Sequence, residues 1–324
     1  MTDRIPPGTR DVLPDEMREL RRIESSLLET FTKNGYGEVR TPLIEFAEVI
    51  EQGAPGAGDS VRFLDDGGEL LALRNDMTIP IARLVATRLQ DVPPPWRLCY
   101  SVNSFRPVTA RRGELREFGQ VGIELIGADQ TDPVVEVIAV LEAGLASVGL
   151  ERAVIGIGDS GLVTGLLADH GLGPEVADDA AEMLAAGELV ELERTLVDQA
   201  GLDSEASESV MAVLRLRGGA EVLDRADEGA GAGLAEAVAR LRETVARIRD
   251  SGVSLELVID LGLARDRAYY SGAIIEVYEP SVGRTIGGGG RYDGLVGTFG
   301  LDRTAAGFSL YVERIHAAQL EEGA

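Results

Sequence analysis

Residues 106–127 read RPVTARRGELREFGQVGIELIG, a charged stretch running into an apolar one that carries Gln120, Gly122 and Glu124 at alternate positions. In a strand, alternate side chains share a face, so Phe118, Gln120, Gly122, Glu124 and Ile126 line one side while Val121, Ile123 and Leu125 pack on the other. A glycine weakens a strand unless something approaches the backbone closely. An amide and a carboxylate flanking that glycine describe a face built for a small cationic ligand. Two more segments carry related groups: LRNDMT at residues 73–78, with Arg74, Asp76 and Thr78, and residues 261–279, with Arg265, Tyr269 and Tyr270 ahead of a strand-like run. An arginine and two phenols at a strand end can hold a carboxylate and further polar atoms. Alone, tyrosines in a strand are ordinary packing.

The elements that must position these groups follow from spacing. Asp15 starts a helical run with Met17, Leu20, Ile23, Leu27 and Phe31 on one stripe, and Asn34-Gly35 ends it. A strand-like segment, GYGEVRTPLIE, follows with Pro42 near its end, and residues 53–60, GAPGAGDS, are a loop by composition. Asp132 and Pro133 open a second helix with Val134, Ile138, Leu141, Leu145 and Val148 apolar and Gly149 as its stop. From about 162 to 250 the chain is rich in Ala, Glu and Leu, with helical spacing in Leu184, Leu189, Leu192 and Leu196 and again in Val238, Leu241, Val245 and Ile248. Strand-like composition returns at LELVIDLG. The simplest organisation is a sheet-based core in two parts, 1–160 and 252–324, around a helical insertion at 161–251.

Several classes of function are excluded or disfavoured. Residues 153–161, AVIGIGDSG, match G-x-G-x-x-G, but a dinucleotide site needs a parallel strand ending in an acid roughly twenty positions on, and Asp178 and Asp179 lie in a helical tract instead. The match is read as a strand-to-helix connection. Cys99 is the only cysteine, and His170 and His316 are far apart, so neither a disulfide framework nor a metal site is expected. With 324 residues, 44% hydrophobic, and no run of ~20 uncharged apolar residues, no membrane span is expected. The start lacks a signal-peptide pattern, which points to the cytoplasm. A net charge of −24, with Lys33 as the only lysine, opposes nucleic-acid binding, although Arg106, Arg111, Arg112 and Arg116 form a local basic patch.

The segment from Phe105-Arg106 through Arg116, Phe118, Gln120 and Glu124 resembles motif 2 of class II aminoacyl-tRNA synthetases of the histidyl type. Residues 35–45 resemble motif 1, LRNDMT resembles the family's L-R-P-E-x-T, residues 261–279 its R-G-L-D-Y-Y signature, and GGGGRYDGLV at 287–296 its G-G-R-Y-D. AAGFSLYVERIH resembles motif 3, with Gly307, Phe308, Glu313 and Arg314 in place. The resemblance implies an α+β fold, an antiparallel sheet flanked by helices with an inserted helical module. It also implies a homodimer through the motif 1-like element. The chain ends ten residues after Arg314, so the anticodon-binding domain that such synthetases add is expected to be missing.

The departures are on the nucleotide side. Val108 stands where the family has an adenine-contacting glutamate, and Glu114 where an arginine helps hold the triphosphate. A unit-charge pair ~5 Å apart contributes on the order of 3 kcal/mol at an effective dielectric of 20, so reversing its sign penalises ATP. Arg314, which stacks on adenine in active relatives, is retained. This pattern resembles the regulatory subunits of short-form, hetero-octameric ATP phosphoribosyltransferases, which open histidine biosynthesis. That branch implies a protein without catalytic residues, cofactor or tRNA ligase activity, required by a separate catalytic subunit and sensing L-histidine. The implied histidine site comprises Asp76, Thr78, Arg106, Gln120, Glu124, Arg265, Tyr269 and Tyr270. The alternatives are an adenylate-forming ligase acting on a carrier other than tRNA, and a scaffold without a ligand.

Overall fold

A computed structural model of the chain describes residues 5–55, 60–107, 115–129, 132–264 and 269–322. Arg265, Val108, Arg111, Arg112 and Glu114 therefore lie outside the described residues. The first helix, α1 (Pro14–Lys33), buries Leu20, Ile23, Leu27 and Phe31, whereas Met17 at the upper end of the stripe is only half-buried. Asn34 ends it, and Gly35 reverses the chain at φ +88°, a conformation costly to residues with a Cβ.

β1 (Gly37–Glu38), β2 (Ile44–Phe46), α2 (Ala47–Gly53), β3 (Arg62–Leu64) and β4 (Leu70–Leu73) follow. Next come α3 (Thr78–Arg88), the paired long strands β5 (Trp96–Phe105) and β6 (Glu117–Ile126), and α4 (Pro133–Ser147). The Asp132 carboxylate accepts from the Val134 amide and caps α4. β7 (Val154–Asp159) turns directly into α5 (Gly161–Asp169), so the glycine-rich match is a strand-to-helix connection. Asp159 also accepts from the Gly161 amide and pairs with Arg240, leaving a carboxylate where a phosphate would have to sit.

The tract after β7 contains α6 (Pro174–Ala186), α7 (Leu189–Asp198), α8 (Ser204–Leu214), the two-residue strand β8 (Arg217–Gly218), α9 (Glu221–Asp227) and α10 (Ala232–Asp250). Val238, Leu241, Val245 and Ile248 are buried along α10, as expected. Of the apolar positions on α7, Leu192 and Leu196 are buried, and Leu189 is exposed because it opens the helix at its outer turn. The tract is not purely helical, since β8 adds a strand to the sheet edge. β9 (Glu256–Asp260), β10 (Ala273–Glu279), β11 (Arg284–Arg291), α11 (Asp293–Thr298), β12 (Ala305–Tyr311) and α12 (Val312–Glu322) complete the described chain.

Nine strands form one sheet in the order β1-β5-β6-β12-β11-β10-β7-β9-β8. Its centre is antiparallel as expected, but β1 runs parallel to β5 and β7 parallel to β9, so the sheet is mixed. The reason is the intervening chain: parallel neighbours need a long crossover, and the helical tract provides one between β7 and β9. Val121, Ile123 and Leu125 of β6 pack with Ile157, Val277 and Phe308 against α1, α4 and the inserted helices. On the opposite face, Tyr100 and Ile126 join Ile79, Val85 and Leu295 in a second apolar cluster under α2, α3 and α11. A separate three-stranded sheet, β2-β4-β3, lies outside this sandwich. Among the described residues no helix is long and apolar enough to cross a membrane.

Candidate functional site

The site grows from the second face of β6. Antiparallel pairing sets Glu124 beside Leu98 and Gly307, Gly122 beside Tyr100 and Ser309, and Gln120 beside Val102 and Tyr311. A Cβ at Gly122 would run into the Tyr100 hydroxyl and the Phe308 carbonyl oxygen, and one at Gly307 into the Glu124 carboxylate. The glycine in the strand is thus explained by its own protein: the group that approaches Gly122 is the phenol of Tyr100. Both glycines clear the space that the Glu124 side chain and its partners occupy.

Glu124 is 1% exposed. It accepts hydrogen bonds from the Thr78 hydroxyl at 3.0 Å and from the hydroxyl of Tyr292, which follows β11; the Tyr100 hydroxyl also bonds to it. Burial pushes its acid up to about 8; the hydroxyl bonds oppose the rise and the nearby Asp76 charge adds to it. Burial and then the Glu124 charge hold the phenols of Tyr292 and Tyr100 well above the usual range, so both remain donors.

Asp76 sits between β4 and α3, buried, where it accepts from the Ile79 amide at 3.3 Å and the Tyr269 hydroxyl at 3.5 Å. Arg74 fastens the same segment from behind, donating to the carbonyls of Asn103, Thr41 and Pro42. Gln120 uses both ends of its amide: Ser104 donates to its oxygen at 2.6 Å, and its nitrogen donates to Ser309 at 3.3 Å. The rings of Tyr269 and Tyr270 pack 5.0 Å apart, and Tyr269 meets Tyr292 edge-on at 6.0 Å.

Asp76, Thr78, Gln120, Glu124, Tyr269 and Tyr270 therefore line one cavity, joined by Tyr292, Ser309, Tyr311 and the backbone of Gly288, Gly289 and Gly307. The cavity is narrow, about 30 Å³, so a ligand the size of an amino acid enters only as lining side chains move apart. No Lys, Arg or His among the described residues lines it, while two carboxylates do. That arrangement attracts a cation and repels an anion. Among the described residues no group of three His, Cys, Asp or Glu side chains is placed to hold a metal ion.

Arg106 is the expected member that the structure places elsewhere. Its guanidinium lies 4.1 Å from the Phe118 ring centre and 5.5 Å from that of Tyr311, outside the cavity lining. Two aromatic faces attract it there. Arg314 covers Tyr311 at 4.5 Å and donates to the Thr285 carbonyl, giving a stack of Phe118, Arg106, Tyr311 and Arg314. Two contributors are not marked by residue type and spacing: Tyr292 sits in the R-Y-D segment directly after a run of glycines, and Tyr100 is recognisable only once the β5–β6 register pairs it with Gly122.

A family model for histidyl-tRNA synthetase matches residues 8–315. An ATP phosphoribosyltransferase regulatory subunit of Moorella thermoacetica is 41% identical over 98% of this chain and 82% of its own length. A protein of the same name from Symbiobacterium thermophilum is 40% identical over 99% of this chain and 81% of its own. Among solved structures, an ATP phosphoribosyltransferase regulatory subunit/histidyl-tRNA synthetase from Bacillus halodurans superposes with a TM-score of 0.84 at 32% identity, covering 98% of this chain and 83% of that one. The sheet order, the cavity on its second face and these matches together establish that the chain belongs to the histidyl-tRNA synthetase-like family, in the branch of ATP phosphoribosyltransferase regulatory subunits.

Proposed function

We propose that this chain binds L-histidine in the cavity between Asp76 and Glu124 and, in the cytoplasm, both activates a short ATP phosphoribosyltransferase catalytic subunit and imposes feedback inhibition on it. The observation that carries the reading is the convergence of Asp76, Thr78, Gln120, Glu124, Tyr269 and Tyr270 on one buried cavity from three separate parts of the chain. Histidine needs an anion for its ammonium group and hydrogen-bonding partners for both imidazole nitrogens, and these side chains supply them. Arg265 is assigned to the ligand carboxylate from the sequence alone. The absence of catalysis is supported by the aromatic stack: the Phe118 ring is already covered by Arg106 and the Arg314 guanidinium by Tyr311, so neither is presented to a purine.

Feedback then is a coupling free energy between histidine and the state of a hetero-octamer, so partner binding must alter histidine affinity by the same factor. Self-association into a homodimer belongs to the same proposal and is supported by the small sheet. Register places Ile44, Phe46, Phe63, Leu71 and Leu73 on one face of β2-β4-β3, and none of them is buried. A charge-free apolar face on a chain of net charge −24 is where a second copy can approach without bringing acid to acid.

The test is turnover of the cognate catalytic subunit with and without this chain while histidine is titrated. Activity that requires the chain and falls with histidine is expected. Glu124→Ala should weaken histidine binding by two orders of magnitude or more, since removing one member of a buried hydrogen-bonded set costs roughly 3–5 kcal/mol. Unchanged histidine affinity by calorimetry would sink the site, and histidine-dependent pyrophosphate exchange would identify a ligase.

A further inference from the structure

Arg21, Arg40 and Arg74 line a second cavity, of about 380 Å³, that opens between α1, the chain before β2 and the end of β5. It shares no lining residue with the histidine cavity. Of the carboxylates that line it, Glu24 is paired with Arg21 at 2.6 Å and Glu117 accepts from the Asn103 amide at 2.8 Å. Arg40 is exposed and makes no side-chain hydrogen bond or ion pair among the described residues, while Arg74 spends its guanidinium on neutral carbonyls. Burial, and after it the Arg40 charge, lower Arg74 from its ordinary value, with the Glu45 charge opposing. On a chain of net charge −24 this is a local positive well.

The opposite charge stands at the far end of the small sheet. Ile44 pairs with Leu73 at its base, next to Leu43 and Arg74 of the cavity, and Leu64 pairs with Leu70 at its tip. The turn beyond that tip holds Asp65, Asp66 and Glu69. Asp65 closes it by accepting from the Gly67 and Glu69 amides, whereas Asp66 and Glu69 are exposed and carry no ion pair among the described residues. Two copies meeting through this sheet about a twofold axis can set their strands the same way or opposite ways. The first arrangement brings the two acidic turns together; the second lays each turn over the base of the other sheet. Charge selects the second.

Building on the homodimer reading, we propose that the arginine-lined cavity receives the acidic β3–β4 turn of a second copy, with Asp66 and Glu69 of the partner subunit facing Arg40 and Arg74, and that this contact strengthens histidine binding. The link between the two cavities is short. Arg74 lines one and Asp76, two residues on, lines the other. Asn75 between them is 3% exposed with both ends of its amide unpartnered among the described residues, so its own side chain does not lock the turn. Carboxylates in front of Arg40 offset its repulsion of Arg74 and so favour the bonds by which Arg74 holds this turn. Dimerisation and histidine binding then promote each other by the same factor.

Dimer dissociation constants of the full chain, from dilution series in analytical ultracentrifugation, test the pairing. Arg40→Glu and the turn variant Asp66→Arg/Glu69→Arg should each weaken the dimer roughly tenfold, because an exposed ion pair contributes little alone but recurs twice in a symmetric dimer. Bulk charge acts the other way for the turn variant, which makes the chain less acidic. All three substitutions in one chain should give a dimer at least about threefold tighter than the turn variant alone, since each reversed charge again meets its opposite. Calorimetry should show wild-type histidine affinity falling severalfold on dilution from dimer to monomer. A turn variant that dimerises like the wild type, or a combined variant weaker than either parent, overturns the inference and leaves the apolar face and the histidine reading in place. Equal histidine affinity in monomer and dimer overturns the coupling, and a wild type that is monomeric at every accessible concentration overturns the homodimer reading together with this one.

Discussion

Glu124 is costly to the free protein. Its folded acid is held near 8 against an ordinary 4.5, so between those values the unfolded chain releases a proton that the folded chain keeps. Its contribution to stability is therefore full below pH 4.5 and is lost as pH rises through 8, by about 1.4 kcal/mol for each unit in that window. Glu124→Gln removes the titration. Denaturant midpoints of the ligand-free wild type should fall relative to the variant between pH 5 and 8; parallel profiles would show that Glu124 is already ionised without ligand. The acidic face was legible in the sequence because alternation alone puts Gln120 and Glu124 together. The three hydroxyls that surround Glu124 were only partly legible, because Thr78, Tyr100 and Tyr292 reach it from distant elements.

At the scale of elements, the segment from β4 into α3 carries two cavity-lining side chains, Asp76 and Thr78, and is held by one that is not. Arg74 is 6% exposed and spends its guanidinium on three backbone carbonyls, at Asn103, Thr41 and Pro42, fastening the β4–α3 turn to β5 and to the chain before β2. Hydrogen bonds from a charged donor contribute roughly 1.5–3 kcal/mol each, and leaving buried carbonyls unpaired costs more. Arg74→Ala should therefore lower stability by roughly 2–4 kcal/mol and weaken histidine binding, although Arg74 lines no part of the cavity. Equilibrium denaturation beside calorimetry reads both effects; full affinity in a destabilised variant would mean that Asp76 and Thr78 are positioned by α3 alone. Glu313 plays a comparable part at the other end of β6, where both carboxylate oxygens accept from the Gly119 amide at 3.0 Å beyond the last residue of β12. The motif 3-like pattern contains Glu313 without implying this duty, which exists because β12 stops at Tyr311 and leaves that amide without a strand partner.

Across the whole molecule, the large sheet is covered on both faces while the small sheet is covered only at Glu45 and Ala72 of one face. Glu45 and Ala72 on the inner face of β2-β4-β3 are buried, and Glu45 pairs with Arg83 of α3 at 2.6 Å, so the sheet is anchored to the core from that side. Its outer face, with Phe46 and Phe63 at 50% and 37% exposed, is the surface assigned to a second copy. Replacing both phenylalanines with aspartate should convert a dimer into a monomer in light-scattering chromatography while leaving the large sheet folded. A wild type that is monomeric at tens of micromolar, or a double variant that remains dimeric, would remove this face from the assembly.

What the sequence determined by itself was periodic or local: the α1 stripe through Phe31, the Asp132 cap of α4, the alternation along β6, and the helical character of the long tract before β9. Each depends on residues a few positions apart, so nothing beyond the segment is needed to read it. Tertiary structure alone decided that Arg106 stacks on Phe118 and Tyr311, that Tyr100 fills the space above Gly122, and that β7 and β9 run parallel. Those outcomes depend on strand register and on which faces meet, quantities set by contacts between residues far apart in the chain, where spacing carries no information.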